Sequence, residues 1–203
     1  MTVHNFKNLA LASSAAILLA GCVSGPDLVP AGKFTAGGPS SVTLDRDWAD
    51  VTKVFGHHAD KVKVLSIDGV LLNRLYVSDG LAATDPLMVD ATTGDTTEHP
   101  APRGKADMSL SEQMEFVSRS VGVLDYQKVE TRNPQPVMIG AAKGIRFEFT
   151  ARTTEGLDMQ GLAQAVSSKG LSYYVVYIAP AEHFYGANLK NATAVMDSVK
   201  LPG

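Results

Sequence analysis

The amino-acid sequence predicts a single α/β domain of the α+β type, built on an antiparallel sheet. Three observations predict it. Residues 144–178 hold three consecutive segments of strand character, separated by short turns. A capped amphipathic helix is expected before them, near residues 109–121, and another helix is expected after them at 181–199. Strands joined by such short turns pair antiparallel, because a parallel pair needs a crossover of about a dozen residues.

The size of the chain fits one such domain. It has 203 residues, of which 45% are apolar and 19% charged, as is typical of globular proteins. We expect the folded domain at residues 42–203, after two shorter N-terminal segments at 1–21 and 22–41. A domain of about 160 residues is large enough for one core and too small for two.

The first expected elements form a β-hairpin. Residues 61–67 and 70–77 are rich in β-branched and aliphatic side chains. Asp68-Gly69 between them is a two-residue turn signal that needs positive φ angles. Residues 82–107 then run through Thr, Asp, Gly and Pro without periodicity. A loop of that length in a compact domain is uncommon, and it is often functional or mobile.

A helix is predicted to follow this loop. Ser109 and Glu112 have the S-x-x-E spacing of a capping box, which satisfies free N–H groups at a helix start. Glu115 and Arg119 lie four residues apart on the outer side and are expected to form an ion pair. The apolar residues that share one face of the helix are Leu110, Met114, Val117 and Val121.

The C-terminal third is predicted to form a meander and a closing helix. A strand at 123–130 is expected to end at the turn Pro134-Gln135-Pro136. The meander follows at 144–152, 157–166 and 171–178. Pro180 suits the first turn of a helix, whereas Gly186 weakens the prediction by about 1 kcal/mol. The inward residues of this helix are expected to be Phe184, Leu189, Ala192, Met196 and Val199.

Strict alternation in the first strand of the meander predicts which side chains are buried. Phe147, Phe149 and Ala151 are expected to face the core. The residues of the opposite face are expected to form cross-strand ion pairs: Arg146, Glu148 and Arg152.

The N-terminus has the pattern of a bacterial lipoprotein precursor. Residues 9–20 form an apolar run that is too short to span a membrane and suits a secretory signal. The run ends in Leu19-Ala20-Gly21-Cys22, which resembles the lipobox of bacterial lipoproteins. The resemblance implies cleavage between Gly21 and Cys22 and three acyl chains on the cysteine, enough for stable anchoring. We therefore expect residues 1–21 to be a signal peptide and 22–41 to be the lipidated cysteine with a flexible tether. An ordinary signal peptide followed by a free thiol is the alternative.

The residues after the cysteine indicate the location. Val23 stands where an aspartate typically retains such proteins in the inner membrane, so we expect an outer-membrane protein that faces the periplasm. Residues 23–41 carry four glycines and three prolines and bury too little apolar surface to order themselves. The expected partners are the membrane, through the anchor, and a protein of the cell envelope.

Charge excludes nucleic acid as a partner. The net charge is −3, and it becomes −4 when Lys7 is lost with residues 1–21. Nucleic-acid binding needs clustered Lys and Arg, which the sequence lacks.

The last third of the chain resembles a known fold. The segments that carry the resemblance are the strand GIRFEF at 144–149, the strand YYVVYIAP at 173–180 and the helix end DSVKL at 197–201. Together they resemble the PsbP-like fold, which also occurs in periplasmic lipoproteins of bacteria. The resemblance implies an antiparallel sheet sandwiched between helices. It also implies an accessory, assembly or binding module without a shared catalytic set.

Few residues are candidates for chemistry. The sequence contains no G-x-S-x-G, S-x-x-K, H-E-x-x-H, Walker or CxxC motif. His57 and His58 are adjacent and would diverge on a helix or a strand, which disfavours a shared metal ion. His183 is expected in a solvated turn. No catalytic residue, cofactor or metal site is predicted.

Two further groups have a structural and a functional interpretation. Asp45, Asp47 and Asp50 are spaced a little like a calcium loop but lack its glycine and glutamate, so a charged strand end above Trp48 is favoured. Four aromatic residues are candidates for a ligand pocket, with a place in the core as the alternative: Tyr173, Tyr174, Tyr177 and Tyr185.

Two hypotheses on function remain. The first is a non-enzymatic binding or assembly module of the cell envelope. The second is a hydrolase or metal-dependent enzyme that uses His57, His58 and carboxylates of the 82–107 loop. Convergence of those groups within hydrogen-bonding distance in one cleft would favour the enzyme.

Overall fold

Eight strands pair into one antiparallel sheet, and a helix packs on each of its faces. The computed structural model describes residues 25–203. In chain order the elements are β1 (Asp27–Val29), β2 (Gly32–Phe34), β3 (Val42–Leu44), β4 (Trp48–Asp50), β5 (Val62–Ser66), β6 (Arg74–Ser78), α1 (Leu110–Gly122), β7 (Tyr126–Ile139), β8 (Ala142–Thr153), β9 (Asp158–Ser168), β10 (Leu171–Pro180) and α2 (Phe184–Asp197).

The strand order of the large sheet is β1-β4-β5-β6-β10-β9-β8-β7. Strands β2 and β3 form a separate two-stranded sheet. The two halves of the large sheet join where β6 pairs with β10, with Val77 opposite Val175 and Arg74 opposite Ile178. The α+β class and the sandwich of the sheet between helices are confirmed.

Strand β10 shows how the sheet divides the core. Tyr174, Val176 and Ile178 point to the side of α1 and join its buried cluster. Val175, Tyr177 and Ala179 point to the side of α2. Because side chains alternate along a strand, one continuous apolar strand can supply both cores.

The predicted meander is confirmed in β8, β9 and β10, which pair in sequence order. Phe147, Phe149 and Ala151 are buried as expected. The turn between β9 and β10 is tighter than predicted, with Lys169 and Gly170 at φ +52° and +77°.

The polar face of β8 makes two of the three expected cross-strand ion pairs. Glu148 binds Arg132 of β7 at 3.1 Å, and Arg152 lies 3.6 Å from Asp158 of β9. Arg146 instead pairs with Asp197 of α2 at 2.6 Å, so this arginine ties the sheet to the helix rather than to a strand.

Helix α1 has the predicted capping box. The Ser109 hydroxyl accepts from the N–H of Glu112 at 3.3 Å, and the Glu112 carboxylate accepts from the N–H of Ser109 at 2.9 Å. Val117 and Val121 are fully buried, and Glu115 lies 3.8 Å from Arg119. The helix is therefore confirmed, but its buried face is centred differently: Phe116 is buried as well, whereas Leu110 and Met114 are only partly buried.

Helix α2 begins later than predicted. Strand β10 continues through Pro180, and the helix starts at Phe184 after His183 adopts a φ of +66°. Ala192 and Met196 are fully buried. The other predicted inward residues are partly buried against the same cluster: Phe184, Leu189 and Val199.

The prediction of a flexible tether is wrong for residues 27–41. Strand β1 pairs with β4, and β2 pairs with β3. Ala36 is buried in the core on the α2 side, and Phe34 packs against it. Backbone pairing with later strands holds this segment, which composition alone does not reveal.

The predicted two-residue hairpin at Asp68-Gly69 is also wrong. Strand β5 ends at Ser66 and β6 begins at Arg74, which leaves a connection of residues 67–73. Asn73 holds this connection, because its side-chain oxygen accepts from the N–H of Ile67 at 2.8 Å and its amide nitrogen donates to Asp68 at 2.7 Å.

The Pro134-Gln135-Pro136 turn is a third error, because β7 runs through both prolines. The register between β7 and β8 shifts between Arg132 and Gln135, and β7 is the last strand of the sheet. Proline is tolerated at an edge or a bulge, where its missing N–H breaks no required bond. Within residues 25–203, neither helix is long and apolar enough to cross a membrane.

Candidate binding site

A cleft opens on the α1 side of the sheet, at the end formed by β5 and β6. It has an inner cavity of about 40 Å³ and an outer, open part of about 250 Å³. The two parts share four lining residues, so they form one continuous cleft: His57, His58, Ala59 and Val89. The inner walls are mainly apolar, and the outer part carries charged side chains.

The long loop predicted between residues 82 and 107 builds one wall of this cleft. The loop residues Leu87, Met88 and Val89 are buried and line the inner cavity. The opposite wall comes from β5 and from the segment after the short 3-10 helix Thr52–Val54. The loop therefore takes part in the cleft, as its length suggested.

Aspartates fix the path of this loop. Asp90 accepts hydrogen bonds from the N–H groups of Thr92 and Thr93 at 2.7 and 2.6 Å. Asp85 and Asp95, which lie before and after Asp90 in the loop, each accept bonds from a backbone N–H and from a basic side chain. Their partners are Ala82 and Lys61 for Asp85, and Ala101 and Arg103 for Asp95.

These bonds keep the carboxylates ionised. N–H groups of Thr93 and Thr92 lower the pKa of Asp90, and Ala101 with Arg103 lowers the pKa of Asp95. Burial acts to raise the pKa of Asp85, but the bonds from Lys61 and Ala82 outweigh it and lower the pKa. A general acid or base works best with a pKa near the working pH, so a lowered pKa disfavours that role.

Both histidines of the enzyme hypothesis lie at the mouth of the cleft and are exposed. The backbone N–H of His57 donates to the carbonyl of Ala91 at 3.2 Å, which ties this segment to the loop. Across residues 25–203, no three His, Cys, Asp or Glu side chains are grouped to hold a metal ion. Three carboxylates share the outer cleft with His57 and His58: Asp60, Asp85 and Asp95. Asp85 is bonded to Lys61 and Asp95 to Arg103.

Arg74 lies at the base of the inner cavity. Its guanidinium donates to the Tyr126 hydroxyl and lies 5.7 Å from the centre of that ring and 5.9 Å from the centre of Phe55. Cations over aromatic faces gain electrostatic stabilisation. The cavity thus combines an apolar wall with one cation.

The comparison with solved structures bears on this domain as a whole. The chain is similar to cyanobacterial PsbP (CyanoP) from Synechocystis sp. PCC 6803, with a TM-score of 0.51 and 13% sequence identity. The similarity covers 94% of this chain and 98% of that chain. The chain has a PsbP-like fold. At this level of identity the similarity establishes the fold and nothing about activity.

A second solved structure is the Ran-binding protein Mog1p of Saccharomyces cerevisiae. Its TM-score is 0.49 at 10% identity, over 86% of this chain and 94% of that chain. The amino-acid sequence matches no protein-family model and no curated protein sequence.

The four tyrosines of the PsbP-like domain do not line one pocket. Tyr173 and Tyr177 lie on one face of β10 and Tyr174 on the other, and all three are buried. Tyr177 stacks on Tyr185 with ring centres 5.6 Å apart, and its hydroxyl donates to the Phe184 carbonyl at 2.9 Å. Tyr173 and Tyr174 share a cavity of about 10 Å³, room for about one water molecule. Of the four tyrosines, Tyr174 also lines a second cavity of about 130 Å³.

Burial of these tyrosines also changes their acidity. It raises the pKa of Tyr174 to about 12 and that of Tyr185 to about 12. Burial raises the pKa of Tyr177 as well. The hydroxyls therefore stay neutral at physiological pH, as core residues require. In this structure the four tyrosines pack as core residues.

Each of the three aspartates near residue 47 has a different partner. Asp45 accepts from Asn191 at 2.7 Å, Asp47 accepts from the N–H of Ala31 at 2.9 Å, and Asp50 lies 3.3 Å from Lys63. Trp48 between them is 1% exposed. This agrees with the structural interpretation of a charged strand end over a buried tryptophan.

Arg74, which lines the inner cavity, was not among the residues that the sequence predicted for a site. One signal was present, because Arg74 interrupts the strand segment VLLNRLYV, whose other residues are apolar except for Asn73. Phe55 and Tyr126 carried no signal, since they reach the cavity only through the tertiary fold. The predicted lipidation and cleavage residues, Cys22 and Gly21, lie outside the described residues.

Proposed function

We propose that the protein is a non-enzymatic binding module held by a lipid on Cys22 at the periplasmic face of the outer membrane. The observation that carries the binding role is the cleft. Its inner part is a concave apolar cavity with few polar groups, the usual composition of a ligand site. The sequence Leu19-Ala20-Gly21-Cys22 supports the anchor.

The bonds made by Asp85 and Asp95, two of the three carboxylates that line the outer cleft, support binding over catalysis. Asp85, Asp90 and Asp95 each accept at least two hydrogen bonds or ion pairs, and each has a lowered pKa. A carboxyl group that acts as a general acid works best with a pKa near the working pH. These three act instead as supports for the wall of the cleft.

The anchor is tested by the substitution Cys22→Ser. We expect the variant to leave the membrane fraction and to accumulate as soluble or unprocessed protein, because serine cannot accept the diacylglyceryl group as a thioether. Membrane fractionation with mass spectrometry of the N-terminus measures this. Unchanged detergent partitioning and an unchanged N-terminal mass would contradict the anchor.

The binding role is tested by replacing His57 and His58 together with alanine. Both side chains are exposed, so the free energy of unfolding should change by under about 1 kcal/mol. We expect the double variant to complement a deletion strain at normal protein abundance. A variant that is folded and abundant, keeps the ligand affinity of the cleft and still fails to complement would favour the enzyme that uses these histidines. The single variant Lys190→Ala, on the exposed side of α2, is the matched control.

A further inference from the structure

The charge of Arg74 has no anionic partner within residues 25–203. None of the eight ion pairs in this part of the chain includes Arg74. Its neighbours are the hydroxyl and ring of Tyr126, the ring of Phe55, and Tyr76. A partly buried charge without a counter-ion is costly, because few compensating interactions replace the lost water.

The two tyrosines cannot supply the missing negative charge. Burial raises the pKa of Tyr76 and the pKa of Tyr126, although the guanidinium of Arg74 opposes the shift in both. Both hydroxyls therefore remain protonated at neutral pH. The arginine is charged at any physiological pH, so the base of the cavity carries a net positive charge.

The guanidinium keeps donor capacity for a ligand. Arginine has five N–H donors in a planar fork that matches the two oxygens of a carboxylate. The bonds to the tyrosine hydroxyls use only part of this capacity. Aromatic rings of Phe55 and Tyr126 hold the fork in place, and such preorganisation lowers the entropy lost on binding.

The cavity sets the size of the ligand. The inner part of about 40 Å³ has room for roughly three water-sized groups, enough for a carboxylate or a few methylene groups. Its apolar wall includes Val62, Leu87 and Leu124. The remainder of a ligand would lie in the wider outer part, past His57 and His58.

We propose, on the basis of the binding function above, that the cleft is a site for a small organic carboxylate, whose charged head pairs with Arg74 and whose short apolar body extends past Ala59 and Val89 toward the outer part. The ligand completes the ion pair that the chain itself leaves unmade. Selectivity then has two parts. The head must be anionic, and the first few atoms behind it must be apolar.

Butanoate and butan-1-ol test the site, because they share the same alkyl chain and differ in charge. With the full-length protein at pH 7, NMR titration should give a dissociation constant for butanoate at least about tenfold lower than that for butan-1-ol. The amide signals that move should belong to residues 55–59 and 87–91, which line the cleft. Equal affinities, no binding of either compound, or shifts confined to another part of the molecule would overturn the site.

The variant Arg74→Met removes the charge and keeps a long apolar side chain. We expect the affinity for butanoate to fall at least about tenfold while that for butan-1-ol stays within about threefold. Arg119→Met, which removes an exposed arginine from α1, is the matched control and should change neither affinity. Full butanoate affinity in Arg74→Met would overturn the proposal.

If Arg74→Met does not fold, the comparison of butanoate with butan-1-ol on the unchanged protein tests the carboxylate site. If neither compound binds, the carboxylate site is overturned, and the proposed binding module is not. The anchored binding module would still be judged by the Cys22 and histidine variants.

Discussion

Gly161 of β9 faces Phe149 of β8 at a close contact within the sheet. The Phe149 ring covers the Gly161 backbone so closely that any Cβ there would overlap it. Alternation along β8 predicted that Phe149 is buried. It could not predict that its partner must be glycine, because the partner depends on the register between β8 and β9, which local sequence does not encode.

We expect Gly161→Ala to lower the free energy of unfolding by about 1–3 kcal/mol, the usual cost of overpacking a buried site. Phe149 is 1% exposed and has little room to move away. Gly186→Ala is the matched control, since no atom lies within 4 Å of the position of its Cβ, and alanine in a helix is favoured over glycine by about 1 kcal/mol. Urea unfolding of both variants measures the difference. Equal stabilities for Gly161→Ala and the unchanged protein would show that the ring is mobile.

At the scale of elements, local signals were sufficient for α1 and insufficient for the β5–β6 connection. The capping box of α1 involves Ser109 and Glu112, three residues apart, so the sequence alone reveals it. The β5–β6 connection depends on Asp68, whose carboxylate accepts from Asn73 at 2.7 Å and from Asn188 of α2 at 2.6 Å. The second bond crosses 120 residues of sequence, and an Asp-Gly turn signal cannot include it.

The helix cap gives a prediction on pH. The ammonium group of Lys105 and the N–H and hydroxyl of Ser109 lower the pKa of Glu112 to about 2, from an ordinary value of 4.5. Because the folded-state pKa is below the unfolded one, the contribution of this carboxylate is complete above about pH 4.5. It is lost as the pH falls from there to about 2.

Carboxyl-detected NMR titration should therefore place the midpoint of Glu112 near 2. Lys105→Met should raise that midpoint, since the bond from Lys105 is the largest cause of the shift, and Ser109→Ala should raise it less. Lys190→Met, an exposed lysine on α2, should leave it unchanged. A midpoint that stays near 2 in Lys105→Met would mean that the ion pair does not form in solution.

At the scale of the whole molecule, the middle of the sheet was predictable and its margins were not. Strands β8 to β10 are continuous in sequence and fully patterned, so their pairing follows from short turns. Strand β7 is exposed along most of its length and carries prolines, so it lacks the pattern of a core strand. The margins of the cleft come from loops, and for that reason the sequence predicted a long loop but not the cavity beneath it.

The N-terminal segment provides the last prediction. Residues 27–41 place β1 beside β4, β2 beside β3, and Ala36 within the core on the α2 side. A chain that starts at residue 42 should therefore unfold at lower urea than one that starts at residue 25, with a loss of at least about 2 kcal/mol from exposed apolar surface.

Trp48 provides a direct measure of this loss. It is the single tryptophan of the chain, is 1% exposed, and pairs with Val29 of β1. Removal of β1 and β2 should let water reach the ring, so its fluorescence should shift to longer wavelength in the native state. A chain that starts at residue 27 is the control, because residues 25 and 26 are exposed and lie outside the strands. If the chain from residue 42 keeps both the urea midpoint and the emission wavelength of the longer chain, residues 27–41 lie on the domain without stabilising it. The predicted flexible tether is then the better description of this segment.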